Sequence, residues 1–383
     1  MSRLDELIAE LCPNGVEYKT LGEVVVISRG VRVVKSQLSE DAEGKYPVYQ
    51  NSMTPLGYFA ESNCPSGTTF IISAGAAGEI GYSDSAFWAA DDCCYFKCPE
   101  NLSSRYLYHA LQCQQDFIFS RVRKASVPRL ARTVIEKLKI PLPPLEVQRE
   151  IVRILDAFTE LTAELTAELD ARKKQYEYYS ATILNFEDDV EYKSLIDVAD
   201  IYDSLHQTPC YSETGFSMIR VQDINGGYIN PDNTLKVSTE DYLKFTQKYQ
   251  PRTNDIVVSR VGSYGRFSII PSDFCCLGQN VALIHPKINH KYLYYILNSA
   301  KTQSWIANRV KGSNQKSLSL ADIKRLPIPI ISRVEQERIV SIFDRFDKLC
   351  NDITSGIPAE IEARRKQYEH YRDRLLTFKE LGS

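Results

Sequence analysis

Residues 171–179 read ARKKQYEYY, and residues 363–371 read ARRKQYEHY. Two near-identical nonapeptides half a chain apart mark an internal duplication, which fixes the architecture before local propensities are weighed. Upstream of each copy lies the same series of landmarks. IPLPP at 140–144 answers to PIP at 327–329. RYLYHAL at 105–111 answers to KYLYYIL at 291–297. VEYKTL at 16–21 answers to VEYKSL at 190–195. Each half therefore opens with one phrase and passes through short apolar runs broken by Gly, Pro, Ser and Asn, which predict mixed β structure with long loops. It continues through a helical segment and a polar loop (121–132 or 309–319), and leaves by a proline linker. Proline lacks a donor and forces its neighbour extended, so the linker ends the globular part.

The linker delivers the chain into a long helix. In the first copy the apolar positions are Ile151, Leu155, Phe158, Leu161, Leu165, Leu169, Tyr176, Tyr179, Ile183 and Phe186. In the second they are Ile339, Phe343, Phe346, Leu349, Ile353, Ile357, Ile361, Tyr368, Tyr371, Leu375 and Phe378. Steps of three and four make a continuous seam for helix packing. Roughly 40 residues at ~1.5 Å rise give each helix a length on the order of 60 Å. The first copy holds a tandem tetrapeptide, LTAE-LTAE at 161–168. The second has four more residues in that region, about one turn. It includes Gly356 and Pro358, which predict a kink or break.

The expected fold class is α+β. Two homologous mixed α/β domains are joined by two long helices in an antiparallel coiled coil, in a pseudo-twofold, nearly circular arrangement. The expected boundaries are an N-terminal helix at 1–13, beside the end of the C-terminal helix, a first domain at 14–144 and a central helix at 145–187. A second domain at 188–331 and a C-terminal helix at 332–383 complete the chain.

Composition constrains function mildly. The 383 residues carry 46 Lys and Arg against 49 Asp and Glu, a formal charge of −3, so a DNA-binding surface has to be local. No apolar run has transmembrane length, residues 1–13 lack the order of a signal peptide, and the chain reads as cytoplasmic. Ten cysteines fit a reducing compartment. Cys93-Cys94 and Cys275-Cys276 lie in strand-like runs, and with Cys98 they lack zinc spacing, so buried small hydrophobes are expected and no metal. Phosphate-loop, GxGxxG, HExxH and GxSxG signatures are absent, and Leu142-Pro143-Pro144-Leu145 lacks the polar leader and the aromatic of amino-methyltransferase tetrads. No catalytic residue is expected.

What remains is recognition chemistry. Gly75 and Gly78, and Gly262 and Gly265, frame GxxG turns after comparable apolar runs. Such a turn lets backbone N–H groups approach a phosphate, or is simply tight, and both readings stand. Arg260, Tyr264 and Arg266 flank the second turn and favour a nucleic-acid edge there. Arg29, Arg32 and Lys35 form a basic loop, either a DNA contact or a solvated face. Lys311, Asn314, Gln315 and Lys316 suit base edges, and their counterparts Lys124 and Arg129 are basic and different. Gln222 is a further candidate, although Asn225-Gly226-Gly227 beside it also reads as a turn. Arg172, Lys173 and Lys174, echoed by Arg364, Arg365 and Lys366, read as a protein interface in preference to phosphate contacts. The tyrosines beside them read as coil core.

The opening LDELIAELCPNGVEYKTLGEV, the repeated proline–Gln–helix elements and the two KQYE segments resemble the specificity subunits of type I restriction-modification systems across essentially the whole chain. The resemblance implies a DNA-reading subunit with two target-recognition domains, each taking half of a split, asymmetric double-stranded DNA target. The long helices would set the spacer and dock two methyltransferase subunits. It implies N6-adenine methylation by those partners with S-adenosylmethionine and, where two restriction/translocase subunits join, cleavage using ATP and Mg2+. The chain itself would hold no cofactor. Gln148 and Gln336 match the family's helix-start glutamine and are expected to be structural. Base-reading residues do not carry over from the family. The competing readings are a coiled-coil scaffold that never binds DNA, and an enzyme with an unrecognised site.

Overall fold

A computed structural model describes residues 3–186, 190–310, 316–351 and 355–382. They form two compact units, residues 1–166 with 360–383 and residues 167–359.

The first unit is closed by its own landmarks. Strand Tyr18–Thr20, from the opening phrase, pairs antiparallel with Lys139–Pro141, from the proline segment. The segment is thus a strand as well as a linker, and a two-stranded edge tolerates the missing donors. The main sheet is antiparallel in the order Val26–Arg29, Cys93–Lys97, Thr68–Ile72, Ile80–Ser83. Every residue of Thr68–Ile72 is buried, as a central strand covered on both faces requires. Helix Ser104–Gln112 packs on this sheet through Tyr106, Leu107, Ala110 and Leu111. The Tyr106 hydroxyl donates to the Pro141 carbonyl (3.1 Å). A smaller sheet holds Tyr58–Phe59, Tyr46–Tyr49 and Trp88–Ala89.

The second unit repeats this frame. Tyr192–Ser194 pairs with Pro327–Pro329, and the main sheet runs Ala199–Asp203, Val281–Pro286, Ile256–Ser259, Phe267–Ile269. Helix His290–Asn298 carries Tyr292, whose hydroxyl donates to the Pro329 carbonyl (2.9 Å). The copies diverge in the smaller sheet, which here has four strands and ends in the parallel pair Phe216–Ile219 and Cys275–Leu277.

The central helix is continuous from Leu145 to Ile183, 39 residues. The second long segment is two helices of 19 residues, Arg333–Asn351 and Ile357–Leu375, with Ser355 and Gly356 outside helix. Pro358 sits in the first turn of the later helix, where an unpaired N–H would be orphaned anyway. Ile353 lies outside the described residues. Within the first unit the start of the central helix packs antiparallel on the last helix: Phe158 stacks on Tyr371 at 5.3 Å, and Leu155 shares a core with Leu375 and Leu376. Helix Arg3–Leu11 joins that core through Leu4, Leu7 and Ile8, and Val16 N–H donates to the Lys379 carbonyl (2.9 Å). Within the second unit the end of the central helix packs antiparallel on Arg333–Asn351, with Tyr176 edge-on to Phe343 (5.5 Å) and Phe346 (6.0 Å). The two tyrosines of the KQYE repeats that bury best, Tyr176 and Tyr368, are half-buried and pack against the cores of the two units.

Gln148 is fully buried at the start of the central helix. Its Oε1 accepts from Ser103 N–H (2.9 Å) and its Nε2 donates to the carbonyls of Asn101 (3.0 Å) and Pro143 (2.8 Å). Gln336 repeats the arrangement with Asn289 N–H (3.2 Å) and the Ile331 carbonyl (3.0 Å). Each amide ties the first turn of a long helix to the cap of the sheet-packed helix. No helix of the described residues is long and apolar enough to cross a membrane.

Candidate nucleic-acid interface

In each unit the GxxG turn and the polar loop meet. The turn follows the central strand of the main sheet, and the loop runs alongside it. In the first unit Ala74 bridges to Arg129, Gly75 N–H donates to the Pro128 carbonyl (3.1 Å), and Leu130 N–H donates to the Ser73 carbonyl (2.8 Å). In the second, Val261 bridges to Ser317 and Leu318 N–H donates to the Arg260 carbonyl (2.7 Å). Two features far apart in sequence thus form one edge in each unit.

The glycines serve the turn. Gly75 and Gly78 have φ of +82° and +94°. A Cβ at Gly75 would meet the Asn51 carbonyl at 2.7 Å, and one at Gly78 would meet Phe119 at 3.0 Å. The close approach there is by protein, which supports the tight-turn reading over a phosphate cradle. Gly262 faces open space, and Gly265 backs onto Ile306.

Around the first edge lies a cleft of about 550 Å3 lined by Arg29, Arg121, Arg123, Arg129 and Arg132, with Asp92 and Cys94 also in its wall. Arg29 donates to the Asp91 carbonyl (2.7 Å), Arg132 pairs with Glu136 (2.7 Å), and Arg121 stacks on the Phe117 ring (4.8 Å). Arg123 and Arg129 sit opposite each other at the base of the loop, joined by two main-chain hydrogen bonds (2.8 and 3.2 Å). Arg123, Lys124 and Arg129 are exposed, and their side chains make no ion pair or hydrogen bond among the described residues. Burial pushes the Cys94 thiol up, so it stays protonated, a small hydrophobe in the wall. Cys98 is pushed up to about 11 and Cys276 to about 12 by the same cause. Arg32 and Lys35 lie exposed in the loop after strand Val26–Arg29 and do not line the cleft.

The second edge is chemically different. Arg260 is ion-paired with Asp203, its Nε donates to the Leu318 carbonyl (3.3 Å), and Tyr264 packs against the core. Arg260 and Tyr264, expected from the sequence at a nucleic-acid edge, are both half-buried and hold these contacts within the unit. Arg266 is exposed and donates to the Asn225 side chain (3.0 Å). Arg220 grips Asp223 through two 3.0 Å bonds. A cleft of about 430 Å3 is lined by Gln207, Thr208, Gln222, Ser263, Gln279 and Asn280 beside Arg220. Asn225-Gly226-Gly227 is a turn, with φ of +88° and +59° at the glycines, pinned by the Tyr294 hydroxyl on Gly227 N–H (2.6 Å). Lys316 is exposed, and Lys311, Asn314 and Gln315 lie outside the described residues.

Residues that the sequence reading did not single out are Arg121, Arg132 and the amides Gln207, Gln279 and Asn280. One signal was present. Phe117 and Arg121 stand four apart on one helical turn, and Trp305 and Arg309 repeat the spacing, with the guanidinium 3.7 Å from the indole. Among the described residues no three His, Cys, Asp or Glu side chains gather as a metal site.

The basic runs differ. Arg172 pairs with Glu168 and Arg364 with Glu360, both at 3.4 Å. Arg365 and Lys366 are paired within their own helix at 3.6 Å, whereas Lys173 and Lys174 are exposed without such pairs among the described residues. Beside them, within the second unit, an apolar groove of about 460 Å3 runs between Gln175, Tyr179 and Ile183 on one helix and Ile342, Phe346 and Leu349 on the other.

The family model described as the type I restriction modification DNA specificity domain matches residues 13–172 and again 187–363. A putative type I restriction enzyme specificity subunit of Haemophilus influenzae is 32% identical over 389 residues, covering 95% of this chain and 96% of its own. The EcoR124I/EcoR124II specificity subunit of Escherichia coli is 38% identical over 264 residues, 63% of each chain. Among solved structures, the type I restriction-modification S subunit from M. genitalium superposes with a TM-score of 0.60 at 15% identity, over 94% of this chain and 96% of that one. A chain from a structure on complex assembly and conformational transition of the type I R-M system gives 0.61 at 17% identity, over 95% and 98%.

Proposed function

Because the chain belongs to the type I restriction modification DNA specificity family, we propose that each unit reads one half of a split, asymmetric double-stranded DNA target. The observation that carries this reading is one frame built twice with different chemistry on the same edge. The first unit presents unpaired Arg123, Lys124 and Arg129, and the second presents Gln207, Gln279 and Asn280. A single ligand surface duplicated for stability has no reason to differ at that edge. Two half-sites of different sequence require it, since phosphate contacts position a protein and base contacts specify.

The chain is a recognition subunit and the chemistry belongs to its partners. Methyltransferase subunits dock along the helices, with Lys173, Lys174 and the groove at Tyr179 and Phe346 as the candidate surface. Two such subunits are expected, one for each copy of the repeat. S-adenosylmethionine serves them, and ATP with Mg2+ serves a restriction/translocase subunit where one joins. The setting is the cytoplasm.

The test is footprinting of the chain assembled with its methyltransferase partner on genomic duplexes. Two protected tracts separated by an unprotected spacer are expected. One continuous tract, or none, overturns the split reading, and methylation by the chain alone overturns the non-catalytic one.

A further inference from the structure

We propose that the half of the target read by the first unit contains guanine, recognised in the major groove by Arg123 and Arg129; this rests on the DNA-reading function proposed above. The two residues form a hydrogen-bonded antiparallel pair: Arg123 N–H donates to the Arg129 carbonyl (2.8 Å) and Arg129 N–H to the Arg123 carbonyl (3.2 Å). Directly opposed residues of an antiparallel bridge project their side chains from the same face. Two like charges in that position repel, and no acidic side chain among the described residues pairs with either. Asp92, the carboxylate that lines the cleft, makes no ion pair with them, and Asp91 is taken by the Gln50 amide (3.2 Å). The pair therefore lacks an acceptor within the protein and faces outward for one.

The base of the loop is held in place. Gly75 N–H on the Pro128 carbonyl and Leu130 N–H on the Ser73 carbonyl anchor it to the central strand of the sheet. Anchored backbone places the guanidinium forks before a ligand arrives. The guanidinium fork matches the O6 and N7 acceptors that guanine presents in the major groove.

A comparison of the two units separates base reading from phosphate binding. A contact to phosphate serves any sequence and belongs in both units. Arg121 on Phe117 and Arg309 on Trp305 meet that condition. A contact to bases differs between units that read different halves. Arg129 meets that condition, because its bridged counterpart is Ser317, while Arg260 and Arg220 near the second edge are held by Asp203 and Asp223 and Arg266 by the Asn225 side chain.

The experiment uses the full chain assembled with its methyltransferase partner and a pool of DNA duplexes bearing two randomised half-sites at varied spacing. Bound duplexes are sequenced for the wild type and for Arg123→Gln and Arg129→Gln. Each substitution is expected to reduce preference for guanine at a position in one half by roughly 10- to 100-fold. The other half stays unchanged, which also reports that the variant is folded. A guanine-free half-site, or an unchanged motif with uniformly weaker binding, overturns the inference and makes these arginines phosphate contacts. A wild-type complex that selects no split motif overturns the DNA-reading function itself.

Discussion

The Tyr368 hydroxyl lies 3.1 Å from Nδ1 of His109, a residue 259 positions earlier in the chain. The other imidazole nitrogen is 2.8 Å from Asp156, which also takes Arg105 at 2.9 Å. Burial pushes the His109 imidazole below its ordinary value, and the hydrogen bond to Asp156 opposes this only in part. Burial also tends to raise Asp156, but the His109 hydrogen bond and the Arg105 guanidinium hold it below the usual carboxylate range. The consistent assignment is a neutral ring, with Nε2–H donating to Asp156 and Nδ1 accepting from Tyr368. Tyr368→Phe leaves a buried acceptor unpaired and should cost about 2 kcal/mol in the unfolding of the first unit. Tyr176→Phe, whose ring packs on Phe343 and Phe346, serves as the control and should cost less.

The same histidine gives a pH dependence. Its folded-state value is lowered, so above about pH 6.5 both states are neutral and it contributes nothing to the slope. As pH falls below that, the unfolded chain takes a proton that the folded one refuses, and stability is lost at up to about 1.4 kcal/mol per pH unit. His290, also lowered by burial, acts with the same sign in the second unit. His109→Gln should flatten part of the slope between pH 7 and 5 in denaturant titrations. An unchanged slope would mean that the imidazole takes up its proton alike in the folded and unfolded chain.

Gln148→Ala removes three hydrogen bonds at a fully buried site and should destabilise the first unit by on the order of 3 kcal/mol. Gln148→Glu keeps the acceptor toward Ser103 but sets a carboxylate oxygen against the Asn101 and Pro143 carbonyls, so it should not rescue. Calorimetry of the two variants checks both statements.

Deleting residues 165–168 removes one LTAE unit and ~6 Å of helix, about two base pairs of DNA. Methylation mapping should then show a shorter spacer with both half-sites intact. An unchanged spacer would sink the role of the helix as a ruler.

Reversing Lys173 and Lys174 to Glu should weaken capture of the methyltransferase by roughly 10-fold, mostly in the association rate. Folding should be untouched, because neither side chain has an intramolecular pair among the described residues. Kinetics of partner binding to immobilised chain make the measurement.

Arg121→Ala and Arg309→Ala should each weaken DNA binding evenly across sequences and lower the salt slope by about one. A changed motif would place them among the base readers.

Architecture was legible because it is written in repeats and periodicity. The ARKKQY pair announced the duplication, the three-four stripe announced the long helices, and Gly356 with Pro358 announced the interruption. The interface was legible only in fragments. Arg129 and Gly75 were each visible, but their meeting depends on pairing across more than fifty residues. Arg260 looked free beside its glycines because Asp203, 57 residues earlier, reaches it only through the order of the main sheet, in which strand Val281–Pro286 lies between theirs. Short-range patterns record helix faces and turns, and ion pairs set by sheet order leave no local trace.

The first unit is assembled from residues 1–166 and 360–383, with 193 residues (359 − 166) of the second unit between them. On the ribosome this interval lasts roughly 10–40 s at ordinary elongation rates. During that time Leu155, Phe158 and Ile8 wait without Tyr371, Leu375 and Leu376. The half made first is thus the half finished last. A nascent chain stalled or cleaved before residue 360 should release a completed second unit attached to an unfinished, aggregation-prone first one, the fragment that a cell's chaperones and proteases would meet.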